Sequence, residues 1–486
     1  MAEKKRNTHD KSLHMTGSNF DPNTPLFHFN ESDPFTIGNA FEGVQIFGGI
    51  GSGKTSGSGA TMARAMLSAG FGGLVLCAKK DELATWKAYC KETGRAGQML
   101  VFDESGKYVF PFLQYEIERE GEGAGYTENV VRLFTTVYEA ISRQQISGGS
   151  NAYWTRAMQQ LLRNAIDLAM IVKGTVSVEM IQQIVFSAPL SAAERDSEEW
   201  RNNSLCYQLM AEGNAKELDK WAAHDFESTV AFWLKEYPNL ANETRSGILS
   251  NLTTLMDIFL RRPFRQLFSE APANRYQIAL PELTHQGAIV IMNLPVKEFG
   301  DAGRAAQVVY KYLWQQAAER RNTKENPRPI FLWVDEAQNF ATEYDMQFQA
   351  TARSSKACTV YLTQNLPNYY AEMGGEHSKY RVDSLVGNLQ TKIFHANSDP
   401  TTNEFAANVI GKNWQKRQTT GESVGGQNFN LSTSESESYD YEVIPQRFSQ
   451  LRKGGGINGG IVEGIVFQNG REWSNGKNHL FTKFRQ

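Results

Sequence analysis

The stretch Gly48-Gly49-Ile50-Gly51-Ser52-Gly53-Lys54-Thr55 constrains this chain more than any other. It has the spacing Gly-x-x-x-x-Gly-Lys-Thr. It follows the apolar run Val44-Gln45-Ile46-Phe47 and precedes Thr61–Leu67, whose composition suits a helix. Strand, glycine loop and helix in that order aim backbone N–H groups and a helix N-terminus at phosphate oxygens. Glycines let the backbone close around phosphates without Cβ clashes. In such a loop, residues 48–55 cradle a nucleotide, Lys54 reaches its β- and γ-phosphates, and the Thr55 hydroxyl ligates Mg²⁺. A flexible linker is the alternative, since Ser56-Gly57-Ser58-Gly59 follows. A linker, however, has no reason to carry Lys-Thr in this register behind a strand.

The surrounding pattern is that of an α/β protein with a mainly parallel sheet. Leu74–Ala78 and Met99–Asp103 read as further buried strands, with a helix between them opening at Lys79-Lys80-Asp81-Glu82. From Tyr126 to about residue 270 helical periodicity takes over. Ala157, Leu161, Leu162, Ala165 and Leu168 mark one apolar face, and Ile248, Leu252, Leu255 and Phe259 another. The expected organisation is therefore a polar, disordered tail over 1–30, a first part of the nucleotide fold over 31–125, an all-α insertion over 126–270, and a second part over 271–486 closing in a hairpin. Tyr153, Trp154, Trp200, Trp221 and Trp233 in the insertion are candidates for stacking on bases or for packing a helical core. Gly421–Ser438 is rich in serine and glycine and reads as a mobile stretch.

Ile330-Phe331-Leu332-Trp333-Val334 ends in Asp335-Glu336. Paired with the upstream glycine loop, this predicts two carboxylates at the C-terminal edge of the same sheet. Asp335 would hold Mg²⁺, and Glu336 would orient or activate the attacking water. Gln364 ends the next strand, Thr359–Thr363, where it either senses the γ-phosphate or is simply a satisfied strand end. His395 ends another strand and reads as structural, with no second ligand near it in sequence.

The chain has 486 residues, with 50 basic and 53 acidic side chains and a formal net charge of −3. That balance excludes a global basic face, so a nucleic-acid surface has to be local. The four cysteines have no zinc or redox spacing. The longest apolar runs are strand-sized, which predicts no transmembrane segment and a cytoplasmic location.

These residues together resemble the conjugative coupling ATPases of type IV secretion, the TraG/TraD group, relatives of the FtsK- and HerA-type DNA translocases. Lys79-Lys80-Asp81-Glu82-Leu83 stands where that group has Pro-Lys-Gly-Glu-Leu. Phe102-Asp103 through Pro111 resembles its Phe-Asp-Pro…Asn-Pro segment, with Phe110 in place of Asn. Val334–Phe340 is similar to its Asp-Glu-Phe-x-Asn-Phe motif. Ala352-Arg353, Leu362–Asn365, Asn388 with Lys392–Phe394, Asp399 with Thr401–Glu404, Ser432–Ser436 and Pro445 follow in the family's order. The resemblance spans roughly residues 35–470. It implies a RecA-like P-loop ATPase core with an all-α inserted domain, ATP and Mg²⁺ as cofactors, a homo-hexameric ring, and DNA moved through its channel. It implies relaxase or secretion-channel proteins as partners, with the ring held at the inner membrane through them. It assigns Arg353 as the arginine that a neighbouring subunit inserts at the γ-phosphate. Members of the group usually carry N-terminal transmembrane helices; the polar N-terminal stretch here predicts none. Arg261, Arg262 and Arg265 form a candidate DNA-phosphate contact or an ordinary solvated helix end. The resulting expectation is an ATP-driven DNA translocase serving conjugation or a related mobile-element process. The alternative is a nucleotide-gated protein-interaction switch that does not thread DNA.

Overall fold

The computed structural model describes residues 20–142, 149–269, 274, 277–375, 377–425 and 428–486. Its centre is a sheet in the order β13-β12-β9-β3-β8-β7-β4-β6-β5. In chain order the strands are β3 (Val44–Phe47), β4 (Gly72–Leu76), β5 (Met99–Phe102), β6 (Ile289–Met292), β7 (Ile330–Val334), β8 (Ala357–Thr363), β9 (Thr391–Phe394), β12 (Ile461–Gln468) and β13 (His479–Arg485). From β9 to β5 every pairing is parallel; β12 and β13 close the other edge antiparallel. The sheet is buried on both faces, which is why its parallel strands read as continuous apolar runs. Successive side chains still divide between the faces. Val290 and Met292 join the core beneath the helical region, while Ile289 and Ile291 join the core under the helices Ala60–Ser68 and Asp81–Glu92.

Between β5 and β6 the described elements are helical, from Phe112–Glu118 through Thr127–Ser142, Gly149–Lys173 and Asn242–Leu260 to Phe264–Phe268. The helix Val296–Arg320 joins this region to the sheet. It is buried over most of Gly303–Ala318 and kinks at Gly300, whose φ is 56°. Trp200 and Trp233 are core residues, whereas Tyr153 and Trp221 are exposed; the side chain of Trp154 lies outside the described residues. Packing thus accounts for two of the five aromatics.

Two regions depart from the sequence reading. Residues 1–19 of the expected tail lie outside the described residues, but Pro25–His28 within it is a strand, β1, paired antiparallel with β2 (Pro34–Thr36). Phe27, Phe29 and Phe35 hold it there in edge-to-face and tilted contacts, and Phe29 also meets Trp473 and Phe484 of the closing hairpin. The serine-rich stretch belongs to a long ribbon in which β10 (Lys412–Gly425) pairs residue for residue with β11 (Asn428–Tyr441). Polar residues at every position of Ser432–Ser438 erase, over the middle of β11, the apolar alternation that marks a strand in sequence. Exposed Trp414 and Tyr439 sit opposite each other near its base, ring centroids 5.5 Å apart.

Candidate nucleotide site

β3 delivers the chain into the loop at Gly48, and the loop returns as a helical turn from Thr55. Gly51 and Gly53 take φ of +68° and +85°, the left-handed region that only glycine enters without strain. Gly53 also has no space for a Cβ, which would lie 2.4 Å from Val462 Cγ2 of β12. Inside the loop the Ser52 hydroxyl is buried and has no hydrogen-bond partner among the described residues. An orphaned donor in a cradle of glycine N–H groups is what a phosphate oxygen satisfies.

β8 lies between β3 and β7, so the two carboxylates that end β7 rise beside this loop. Asp335 Oδ2 accepts the Thr55 hydroxyl at 2.7 Å. One hydroxyl and one carboxylate fit Mg²⁺, which keeps several waters and takes further oxygens from phosphates. Among the described residues no three His, Cys, Asp or Glu side chains converge as a metal cage.

Glu336 is buried and sits at φ 53°, ψ 50°, an uncommon conformation for a side-chain-bearing residue. Its own N–H donates to Asp335 Oδ1 at 2.9 Å. Lys79 Nζ donates to Oε1 at 2.7 Å, Gln338 Nε2 to Oε2 at 2.9 Å, and Gln364 Nε2 reaches both oxygens at 3.2 and 3.3 Å. Lys54 Nζ stands 3.9 Å away. Burial pushes the Glu336 carboxyl up, but the hydrogen bonds from Lys79 and Gln338 and the two ammonium charges outweigh it and hold the group down at about 2. Lys79 in turn is shifted upward, its burial outweighed by the Glu336 contact. Behind them Glu82 Oε1 accepts the Lys79 N–H at 2.9 Å. Burial, reinforced by Asp335, pushes its carboxyl well above the usual range.

Lys54, Thr55, Asp335, Glu336 and Gln364 therefore converge. Lys79 and Gln338 join them, although sequence reasoning gave neither a role. The signal for Gln338 was its place two residues beyond Glu336; for Lys79 it was its place just past the end of β4, next to β7 in the sheet. Arg353 does not converge. It precedes β8 and pairs with Glu42, which precedes β3, at 3.4 Å. Both therefore lie at the N-terminal edge of the parallel strands, and the glycine loop lies at the opposite edge. Four residues of strand separate the two, roughly 13 Å, so Arg353 lies away from the glycine loop of its own subunit. His395 is wholly buried, with Nδ1 2.8 Å from the Glu463 carbonyl and Nε2 2.7 Å from Ser58 Oγ. The carbonyl requires the proton on Nδ1, so Nε2 accepts from Ser58. Burial pushes the ring down to about 4, and this neutral histidine ties the helix after the loop to β12. In the arginine cluster Arg261 pairs with Asp257 at 2.6 Å and Arg265 with Glu179 at 3.4 Å.

Comparison with known proteins bears on this arrangement. The family model described as the TraM recognition site of TraD and TraG matches residues 329–449. Over this stretch the chain is similar to the TraG/TraD family. The TraG/TraD match takes in β7, both terminal carboxylates, Arg353, Gln364 and the ribbon. Solved structures of a similar fold include the bacterial conjugative coupling protein TrwB lacking its first 70 residues, in unbound form. It is 13% identical with a TM-score of 0.55, over 96% of this chain and 88% of that one. The plasmid coupling protein TrwB with a non-hydrolysable ATP analogue is 14% identical, TM-score 0.55, over 98% and 91%. The same protein with ADP and Mg²⁺ is 13% identical, TM-score 0.53, over 93% and 86%. A comparison with curated protein sequences yields no match. The fold shared with these structures is a large, mostly parallel sheet with many helices. Among the described residues no single helix is long and apolar enough to cross a membrane.

Proposed function

We propose that this chain is an ATP-driven DNA translocase of the coupling-protein type, working as a ring of identical subunits. The observation that carries the reading is the Thr55–Asp335 contact beside a Glu336 carboxylate held by four side chains. The TraG/TraD match and the TrwB-like fold, seen in TrwB with ADP and Mg²⁺, supply the class.

Residues 48–55 would hold the phosphates, and Thr55 with Asp335 would hold Mg²⁺, which would supply charge neutralisation for phosphoryl transfer. Lys54 leaves the neighbourhood of Glu336 for the γ-phosphate. The carboxylate oxygens of Glu336 are fully engaged, and the two Gln364 contacts are the longest. Gln364 is therefore the donor that yields when a water takes a lone pair. With Lys79 still bound, Glu336 is a weak base. It aims the water and accepts its proton late, which suits a loose phosphoryl transition state. Arg353, at the far edge of its own sheet, is offered to the site of the next subunit. The helical region, 126–270, acts as a domain inserted between 31–125 and 271–486. The motor is cytoplasmic and reaches the inner membrane through relaxase or secretion-channel partners.

The test is ATP turnover against DNA concentration at several salt levels, with single-stranded, duplex and no DNA. Stimulation that fades as salt rises is expected, because each neutralised phosphate releases counterion. Hexamers that hydrolyse ATP with no response to either DNA form would transfer the assignment to the nucleotide-gated switch.

A further inference from the structure

An arginine that acts in a neighbour's site has to be held in place by its own subunit. The Arg353 side chain is 76% exposed and meets only Glu42, at 3.4 Å, among the described residues. An exposed ion pair of this kind fixes little. The backbone is held differently. Arg353 lies in a short turn between the helix Glu343–Thr351 and β8. The turn is irregular, with Lys356 at φ +48°, a region that side-chain-bearing residues enter rarely. Inside it the Ser354 N–H donates to the Thr351 carbonyl at 3.0 Å and the Lys356 N–H to the Arg353 carbonyl at 3.1 Å. Those bonds close the turn; they do not set where it points.

The end of the helix Val296–Arg320 does that. On one side of Arg353, the Glu319 carboxylate accepts the Thr351 hydroxyl at 2.7 Å and the Tyr344 hydroxyl at 2.5 Å. On the other side, Arg321 donates to the Ser355 carbonyl from Nε at 2.9 Å and from Nη2 at 2.6 Å, and Nη2 also reaches the Lys356 carbonyl at 3.2 Å. Its Nη1 donates to the Arg328 carbonyl at 2.9 Å. A cap would serve the last carbonyls of its own helix; all three acceptors here lie outside that helix. The planar fork fixes direction as well as distance, which an ammonium does not. The guanidinium leaves water to make these bonds, and burial pushes it down to about 10.

The helix that carries this grip is anchored at the nucleotide site. Gln307 accepts from the Cys77 N–H at 2.8 Å and donates to the Cys77 carbonyl at 3.0 Å, two residues before Lys79. The buried Lys311 Nζ donates to the Phe340 carbonyl at 2.7 Å, four residues after Glu336, and pairs with Asp345. One helix thus joins the carboxylate end of the sheet to the turn at the opposite edge.

We propose that Arg321, seconded by Glu319, is the positioning residue for Arg353: it aims that arginine at the next subunit's site and touches no nucleotide in its own. The inference rests on the shared-site reading above and names the residue that sets the aim.

The test sorts variants by which half of a shared site they damage. Arg321→Met should lower kcat for ATP on the order of tenfold or more, since misplacing a group by about 1 Å can cost as much. ADP has no γ-phosphate for Arg353 to meet and should bind within about twofold of wild type. Arg321→Lys keeps the charge without the fork and should fall between the two; it carries the test if Arg321→Met fails a thermal melt. Mixed with Glu336→Gln before assembly, the Arg321 variant should regain turnover well above either protein alone, because its own site is intact and its partner's arginine is well aimed. Mixed with Arg353→Ala it should regain none, because neither subunit donates a competent arginine. Wild-type kcat in both Arg321 variants overturns the assignment. So does recovery with Arg353→Ala, or weakened ADP binding with no recovery from Glu336→Gln, which would place the damage in the variant's own site. If Arg353→Ala itself gains nothing from Glu336→Gln, the shared-site reading fails and this inference with it.

Discussion

Lys79→Ala is the sharpest perturbation of the site. Among the described residues Lys79 is the only cation in hydrogen-bond contact with Glu336, at 2.7 Å; Lys54 is at 3.9 Å and, on the proposed reading, turns to phosphate once nucleotide binds. A hydrogen bond to a charged group contributes about 1.5–3 kcal/mol. Gln338 and Gln364 remain and hold part of the carboxylate's orientation. The net loss of aim is therefore about 1.5 kcal/mol, which corresponds to about tenfold in rate. Because Lys79 acts through Glu336, the loss should fall on kcat, with KM within about twofold. Steady-state ATP turnover, with a thermal melt to confirm folding, measures both. Lys79→Arg keeps the charge and should recover part of the rate. A Lys79→Ala protein with wild-type or higher kcat would refute the reasoning, because Lys79 would then restrain Glu336 instead of aiming it.

Glu336→Gln keeps the shape and removes the base, so nucleotide should bind while turnover falls on the order of 10²-fold or more; near-normal turnover would remove Glu336 from the water's path. The same substitution bears on acid stability. The folded carboxyl is depressed to about 2, so its contribution is present above the ordinary carboxylate range and lost as pH falls toward about 2. Denaturation of Glu336→Gln should accordingly show a shallower acid limb between about pH 4.5 and 2. If Arg353 acts across a subunit boundary, mixing Arg353→Ala with Glu336→Gln should restore some ATPase activity, since one mixed interface is intact; mixtures no more active than the separate variants would exclude the shared site. Glu139 lies near Glu343, and burial first, then that charge, pushes its carboxyl up to about 7 against the opposing Arg381. Its stabilising effect is full below the ordinary carboxylate pKa and lost as pH rises through about 7. Glu139→Gln should therefore gain about 1–2 kcal/mol at pH 8 relative to its effect at about pH 4; equal urea midpoint shifts at the two pH values would contradict this.

The parts of the site legible in sequence are those that are local in the chain. β3 with its glycine loop, and β7 with Asp335 and Glu336, each carry their geometry in consecutive residues. Lys79 was not legible, because its partner lies 257 residues away and only the β4–β7 pairing brings them together. Arg353 had a role only through family resemblance. Its place at the edge opposite the glycine loop needed the strand directions. The aromatics of the helical region were ambiguous because Trp233 and Trp221 look alike in sequence, yet one is wholly buried and the other 76% exposed. The β10–β11 ribbon was hidden because strand recognition relies on an apolar face, and the middle of β11, Ser432–Ser438, is polar at every position. The β1–β2 pair was hidden because its short strands owe their order to Trp473 and Phe484, more than four hundred residues later.

The ribbon has a mechanical consequence. Its fourteen paired positions extend roughly 45 Å. Its root is wired to the glycine loop: the Gly49 N–H donates to the Ala396 carbonyl at 2.9 Å, and the Asn397 N–H to the Phe448 carbonyl at 3.3 Å. Ala396 and Asn397 lead into the helix Pro400–Ile410, which launches β10, while Phe448 lies in the helix Pro445–Ser449 that receives β11. A lever arm of that length converts a tilt of about 5° at its root into a sweep of roughly 4 Å at the far end of the paired strands. The ribbon is in this sense a pointer, with the glycine loop at its pivot.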